Sequence, residues 1–184
     1  MIRKSCGCLI FIILLFFTLV FIINIKFEDK EDYKTAYLDE TLELAKSVSD
    51  RYGLFTSVVL AQSALESNYG KSELSQNYNN YFGIKGKAGS EDAVYFETTE
   101  VRDNKAQKVK EPFKSFLSKN DSFNYYGKLI TGLKRYENVV AARDFREAAR
   151  ALQEGGYATD PSYADKIISI VEKYELGQFD SPKP

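Results

Sequence analysis

Between residues 6 and 25 the chain is apolar almost without a break, CGCLIFIILLFFTLVFIINI, with only Thr18 and Asn24 strongly polar. A helix of about 20 residues rises about 30 Å, the thickness of a bilayer core. Arg3 and Lys4 precede the run, and Asp29, Glu31 and Asp32 follow it. The excess of basic residues on the N-terminal side places that end in the cytoplasm and the rest of the chain outside. No small-residue cleavage site closes the run, so it reads as an uncleaved signal anchor rather than a removed signal peptide. Cys6 and Cys8 lie at its cytoplasmic edge.

Beyond the anchor (residues 1–26) a short charged linker is expected over 27–34, a domain over 35–177 and an unstructured tail over 178–184. From Ala36 to Tyr52, Leu38, Leu42, Ala45 and Val48 recur at helical spacing, and Gly53 ends the pattern. A second helix is expected through VVLAQSALES to Gly70, capped by Thr56 or Ser57, with Val58, Ala61 and Leu65 as its buried stripe. NYNNYFGIKG then reads as loop. Residues Ala93 to Thr99 alternate, with Val94, Phe96 and Thr98 on one side; Asp103-Asn104 marks a turn, and Lys108 to Phe116 alternates again. This predicts a hairpin. Three further helices are expected at Ser118–Ile130, opened by a Ser-x-x-Asp cap, at Asp144–Gln153, and at Pro161–Tyr174 with Asp160 as cap. The order predicts an α+β domain with a larger helical lobe and a small β-hairpin lobe, the cleft between them being the natural binding site.

Composition narrows the chemistry. The 184 residues are 44% hydrophobic and 28% charged, which is not a disordered composition. Arg3, Lys4 and Lys26 are the only charged residues of the first 26, so residues 27–184 hold 22 basic groups against 26 acidic ones, a net of −4. The basic residues are scattered, unlike those of a nucleic-acid binder. The chain has no histidine, and its only cysteines are in the apolar run. Catalysis in the domain therefore has no Ser-His-Asp triad, Cys-His pair or His/Cys zinc site to draw on, and no metal or organic cofactor is implied. Carboxylates, phenols, lysines and hydroxyls remain.

Among the carboxylates Glu66 stands out. It follows Leu65, so it projects about 100° around from the expected core stripe, with Gln62 and Ser63 one turn back. Partial burial at the core edge raises a carboxyl pKa, which suits a general acid that protonates a glycosidic oxygen.

The string around it, AQSALESNYGKSELSQNYNNYFGIKG, resembles the glucosaminidase family, glycoside hydrolase family 73. That family includes the hydrolase domain of the flagellar rod assembly protein and many Gram-positive autolysins. Its Gln-x-Ala-Leu-Glu-Ser-x-x-Gly pattern is matched by Gln62, Ala64, Leu65, Glu66, Ser67 and Gly70. Its Asn-Leu-Phe-Gly-Ile-Lys loop is matched at residues 80–85, with Tyr81 in place of Leu. A later block, Gly156-Tyr157-Ala158-Thr159-Asp160-Pro161-Ser162-Tyr163-Ala164, resembles the family's C-terminal signature, and Thr98-Thr99-Glu100 its hairpin carboxylate site.

The resemblance implies a lysozyme-like fold and hydrolysis of the β-1,4 bond after N-acetylglucosamine in peptidoglycan, with Glu66 as catalytic acid and Glu100 as second carboxylate. Glu97 rivals Glu100; the two are three residues apart and face opposite sides of a regular strand. Tyr157, Tyr163, Asn80 and Tyr81 are candidate substrate contacts, the tyrosines because sugars stack on aromatic faces; Tyr157 and Tyr163 read alternatively as packing tyrosines, Asn80 equally as the holder of a loop turn, Tyr81 as a floor of the cleft and Phe82 as core. Three rivals share this fold: a lytic transglycosylase, a muramidase and a non-catalytic wall-binding module. Phe82-Gly83-Ile84-Lys85 stands where the transglycosylases carry Gly-Leu-Met-Gln. The expected partners are glycan strands of the wall and, through the apolar run, the membrane.

Overall fold

The computed structural model describes residues 33–102 and 105–181, and only the backbone of 98–102 and 105–107. The apolar run expected as an anchor lies outside the described residues, as does the linker apart from residues 33 and 34. Those two are already helical. Among the described residues no helix is long and apolar enough to cross a membrane. A compact unit begins at Tyr37.

Helix α1 covers 33–52, and its buried stripe is Tyr37, Leu38, Thr41, Ala45, Val48 and Ser49. Leu42, expected in the stripe, is only half-buried, because the face is rotated toward Thr41. Thr41 and Ser49 bury their hydroxyls by donating to Tyr37 O at 2.7 Å and Ala45 O at 2.9 Å, one turn back on the same helix.

Helix α2, Thr56–Ser67, is buried from Thr56 to Ala64 and again at Ser67. It is the central helix of the fold, packed by the last two helices and the closing turn. Leu65, expected in a one-sided stripe, is instead among the less buried residues of a helix enclosed on nearly every side. A helix surrounded by others has no polar face to display. Its N-cap is Phe55, whose side chain caps nothing; Thr56 and Ser57, expected as caps, are inside the helix. Asp180 replaces them from the other end of the chain: its carboxylate accepts from Ser57 N at 2.8 Å and from the Ser57 hydroxyl at 2.6 Å. The first two residues of the tail expected to lack structure, Gln178 and Phe179, thus complete a 3-10 turn, Leu176–Phe179, and Asp180 after them sets an anion on the positive end of the central helix.

A short helix, α3 (Glu73–Tyr78), lies between α2 and the expected loop and takes in that loop's first two residues, Asn77 and Tyr78; Ser72 caps it by accepting from Ser75 N. The hairpin is longer than its alternation suggested. β1 (Ala93–Arg102) pairs antiparallel with β2 (Lys105–Lys114), from Ala93↔Lys114 to Arg102↔Lys105. Phe96 packs on Tyr78 and Phe113, while Tyr95 and Glu97 are exposed, as the period of two requires.

Helix α4, Lys119–Gly132, opens on the expected cap, Ser118 accepting from Asp121 N at 3.1 Å. A 3-10 turn at Lys134–Tyr136 and helix α5, Glu137–Ala141, were not foreseen. Helix α6, Phe145–Glu154, is capped by Asp144. Helix α7, Tyr163–Lys173, starts two residues later than Pro161 suggested. Asp160 braces its approach by accepting from Ser162 N and Oγ, and it pairs with Lys166. The architecture is α+β, a helical lobe carrying one two-stranded sheet.

Candidate active site

Glu66 occupies the last turn of α2. Asn68, Tyr69 and Gly70 follow it, all in the left-handed region, so the chain reverses sharply at once. Ser67, its motif neighbour, ties that reversal: its hydroxyl donates to Ser63 O at 2.6 Å and accepts from Gly70 N at 2.8 Å.

Glu66 is half-buried. Its pKa is raised, chiefly because burial penalises the carboxylate, and a hydrogen bond from Tyr163 works in the opposite direction. The negative end of α2 acts in the same sense as burial. The group therefore holds its proton to higher pH than a solvated carboxyl, yet retains one donor to receive the charge when the proton leaves.

That donor ends a directed chain of hydrogen bonds. The Tyr126 hydroxyl donates to Gln62 Oε1, Gln62 Nε2 donates to the Tyr163 hydroxyl at 2.9 Å, and Tyr163 donates to Glu66 Oε1 at 2.7 Å. Gln62 is 0% exposed and Tyr163 is 3% exposed. Gln62 and Glu66 are four apart on one helix, so they share a face. Tyr126 is delivered by α4 and Tyr163 by α7. Burial holds both phenols above their ordinary pKa, so each remains a donor. Because Gln62 fills the acceptor side of Tyr163, the Tyr163 proton must point at Oε1. The acidic proton of Glu66 is then left to Oε2.

Oε2 faces Gly83. A Cβ built on Gly83 would lie 3.0 Å from it, and the backbone there has φ +61°, so the loop needs glycine on both counts. Asn80 positions this loop. Its Nδ2 donates to Ile84 O at 2.9 Å and Lys114 O at 2.8 Å, and its Oδ1 accepts from Phe82 N and Ile84 N. With Gly86 N on Pro112 O and Lys114 N on Ile84 O, the loop is stitched to the root of the hairpin.

The candidate residues thus fall into distinct places. Tyr163 reaches Glu66 by its hydroxyl, but its buried ring has no face free for a sugar. Tyr157 is half-buried; its ring stacks on Tyr163, centroids 5.9 Å apart, and its hydroxyl donates to Phe82 O at 2.8 Å. Asn80 is 1% exposed with its amide spent on backbone, which makes it a loop brace instead of a sugar contact. Tyr81 is 8% exposed, stacked on Tyr37 and tilted against Phe123, so it is core and not a cleft floor. Phe82 is core as expected, stacked on Tyr126 at 4.1 Å. Glu97 is exposed opposite Lys110, and Glu100 pairs with Gln107 while its side chain lies outside the described residues. Gln62 and Gly83 stood within the matched motifs without a role, and Tyr126 lay in neither motif.

A cavity of ≈ 210 Å³ opens beside this centre, lined by Gly83, Tyr157, Lys85, Tyr125 and Arg135 among others. Larger hollows, around Arg150 and around Ser47, contain none of the residues that hold Glu66. Among the described residues no His, Cys, Asp or Glu cluster could hold a metal.

Known proteins resemble this chain in sequence and in fold. Exo-glucosaminidase LytG of Bacillus subtilis is 37% identical over 168 residues, covering 88% of this chain and 59% of its own length. A probable N-acetylmuramidase of Lactococcus lactis is 35% identical over 152 residues, 79% of this chain and 34% of the relative. The chain thus spans less than two thirds of either curated relative. The catalytic domain of the autolysin Auto from Listeria monocytogenes superposes with a TM-score of 0.68 at 31% identity, covering 80% of this chain and 88% of that one. The family model described as mannosyl-glycoprotein endo-beta-N-acetylglucosaminidase matches residues 42–176, from α1 to the closing turn, and the chain belongs to this glucosaminidase family.

Proposed function

We propose that the protein is a peptidoglycan hydrolase that cleaves the β-1,4 bond after N-acetylglucosamine, with Glu66 as the general acid. One observation carries the reading: a half-buried carboxyl with a raised pKa, one oxygen held by Tyr163 and the other turned to Gly83 at the edge of a cleft. A glycosidic oxygen leaves poorly until it is protonated. Glu66 delivers that proton from Oε2, and the carboxylate left behind is received by the Tyr163 hydroxyl. Glu100 is proposed as the second carboxylate, on the hairpin; the substrate's own 2-acetamido group can take that part in its place.

The chain's product ends test the bond cleaved. Purified peptidoglycan treated with the full chain should acquire new reducing N-acetylglucosamine ends. Reducing N-acetylmuramic acid ends would mean a muramidase, the activity in the name of the Lactococcus lactis relative. Anhydro-muramyl ends would mean a transglycosylase. Absence of all three would leave a wall-binding module.

The same proposal places the protein at the cell membrane, crossing once through residues 6–25, with its N-terminus cytoplasmic and its catalytic domain facing the wall. Protease added to intact protoplasts should remove the domain. Full protection of the domain would exclude this topology.

A further inference from the structure

The cavity beside Glu66 carries a charge opposite to that of the domain. Residues 27–184 have a net charge of −4, yet the charged residues lining this cavity are Lys85 and Arg135, with no acid among them. Lys85 is shared with Glu111, 3.8 Å away on β2, and lies over the Phe113 ring at 4.1 Å. Arg135 has no such partner: among the described residues its guanidinium pairs with no carboxylate.

Arg135 is also held in place. Its guanidinium sits 4.6 Å from the centroid of the buried Tyr136 ring, a contact that orients the planar group and leaves its edge free to donate. The 3-10 turn bearing it is locked against the end of α6. A Cβ on Gly155 would fall 2.7 Å from Arg135 O and 2.6 Å from the Tyr136 ring, so only glycine permits this approach. The rest of the lining suits a sugar: Tyr125 is 37% exposed, and Leu129 and Tyr157 are half-buried.

We infer that this cavity is a subsite for a carboxylate-bearing sugar, and that Arg135 binds the carboxylate of an N-acetylmuramyl residue next to the cleaved bond. The inference rests on the peptidoglycan reading of the same site and adds how the wall glycan is told from chitin. Both polymers present N-acetylglucosamine in β-1,4 linkage, so Glu66 and its partners cannot distinguish them. The muramyl residue differs by a lactyl ether ending in a carboxyl group, which is free in stripped strands and extended by an acidic peptide in intact ones. A guanidinium fork pairs with either carboxylate, and an N-acetylglucosamine in its place leaves it unsatisfied.

Equilibrium binding separates this from the hydrolase reading, because it needs no turnover. The full chain in detergent carrying Glu66→Gln is titrated with three tetrasaccharides: chitotetraose, a stripped alternating glycan with free lactyl carboxylates, and the same glycan with its peptides. At least one carboxylate-bearing ligand should bind about tenfold tighter than chitotetraose, as expected of a charge-assisted fork, and the preference should weaken with salt. Preference for the stripped ligand assigns the lactyl carboxylate, and preference for the peptide-bearing one alone assigns the peptide. Arg135→Gln should abolish the preference and leave chitotetraose binding and the melting temperature unchanged; Arg135→Lys should restore part of it. No preference in the Glu66→Gln parent, or a preference that survives Arg135→Gln, would overturn the subsite. Failure of the hydrolase reading would show separately, as absence of product ends with the unmodified chain.

Discussion

The Tyr163 hydroxyl donates to Glu66 Oε1 at 2.7 Å, joining residues 97 positions apart. This bond stabilises the carboxylate over the acid, so it sets how readily Glu66 gives up its proton. Removing it with Tyr163→Phe should raise the Glu66 pKa further. The limb on which the hydrolysis rate falls with rising pH should move to higher pH, while kcat drops about 10- to 100-fold, the equivalent of a hydrogen bond to a charge at ~1.5–3 kcal/mol. Gln62 Nε2 loses its acceptor in the same variant, at a cost of ~1–3 kcal/mol in stability. A rate profile that does not move would detach Tyr163 from the acid.

Glu66→Gln should retain the Tyr163 contact and lose the transferable proton. Hydrolysis should fall by about two to four orders of magnitude. Stability should respond to pH in a definite direction. The folded pKa of Glu66 lies above its unfolded value, so the wild type's favourable contribution is complete below the unfolded pKa. It is lost as pH rises through the folded pKa. The melting temperature of the Gln variant relative to wild type should therefore climb from acid to neutral pH. A constant difference across that window would contradict the raised pKa.

Gly83→Ala places a methyl against Glu66 Oε2 in a backbone region that costs an alanine ~1–2 kcal/mol. The loss of activity should exceed what the destabilisation explains, with about a 100-fold fall in kcat at temperatures where the variant is fully folded, as small misplacements of reacting groups produce. Equal and modest effects on stability and rate would make Gly83 a turn residue only.

Asp180→Ala should remove the cap on α2. The expected loss is ~0.5–2 kcal/mol, read from denaturant unfolding. Ser57 lies nine residues, about two and a half turns, before Glu66, so kcat of the folded variant should stay near wild type. An unchanged unfolding midpoint would show that the carboxylate contributes nothing.

On the hairpin, Glu100→Gln should lower turnover by about two to four orders of magnitude if that carboxylate takes part, and Glu97→Gln should be mild, since Glu97 is exposed. The reverse ranking would transfer the role to Glu97. Two mild effects would favour acetamido assistance.

The elements that the sequence announced are those specified by near neighbours. The Ser118 and Asp144 caps act three residues along the chain, and the alternation around Phe96 repeats every second residue. The Gln-x-Ala-Leu-Glu-Ser string likewise displays Glu66 and Gln62 on one helical face. Local patterns could not say that α2 is enclosed by other helices, so the expected stripe through Leu65 and the caps at Thr56 and Ser57 gave way to a buried helix capped by Asp180, 123 residues from Ser57. Asn80 and Tyr81 carry side chains that suit a sugar, but packing spent both inside. Tyr126, Gln62, Tyr163 and Glu66 become a directed chain only when α4 and α7 close on α2, bringing together groups 64 to 101 residues apart. A side chain's identity states which bonds it can make; burial decides which partners remain once water is excluded, and burial belongs to the tertiary structure.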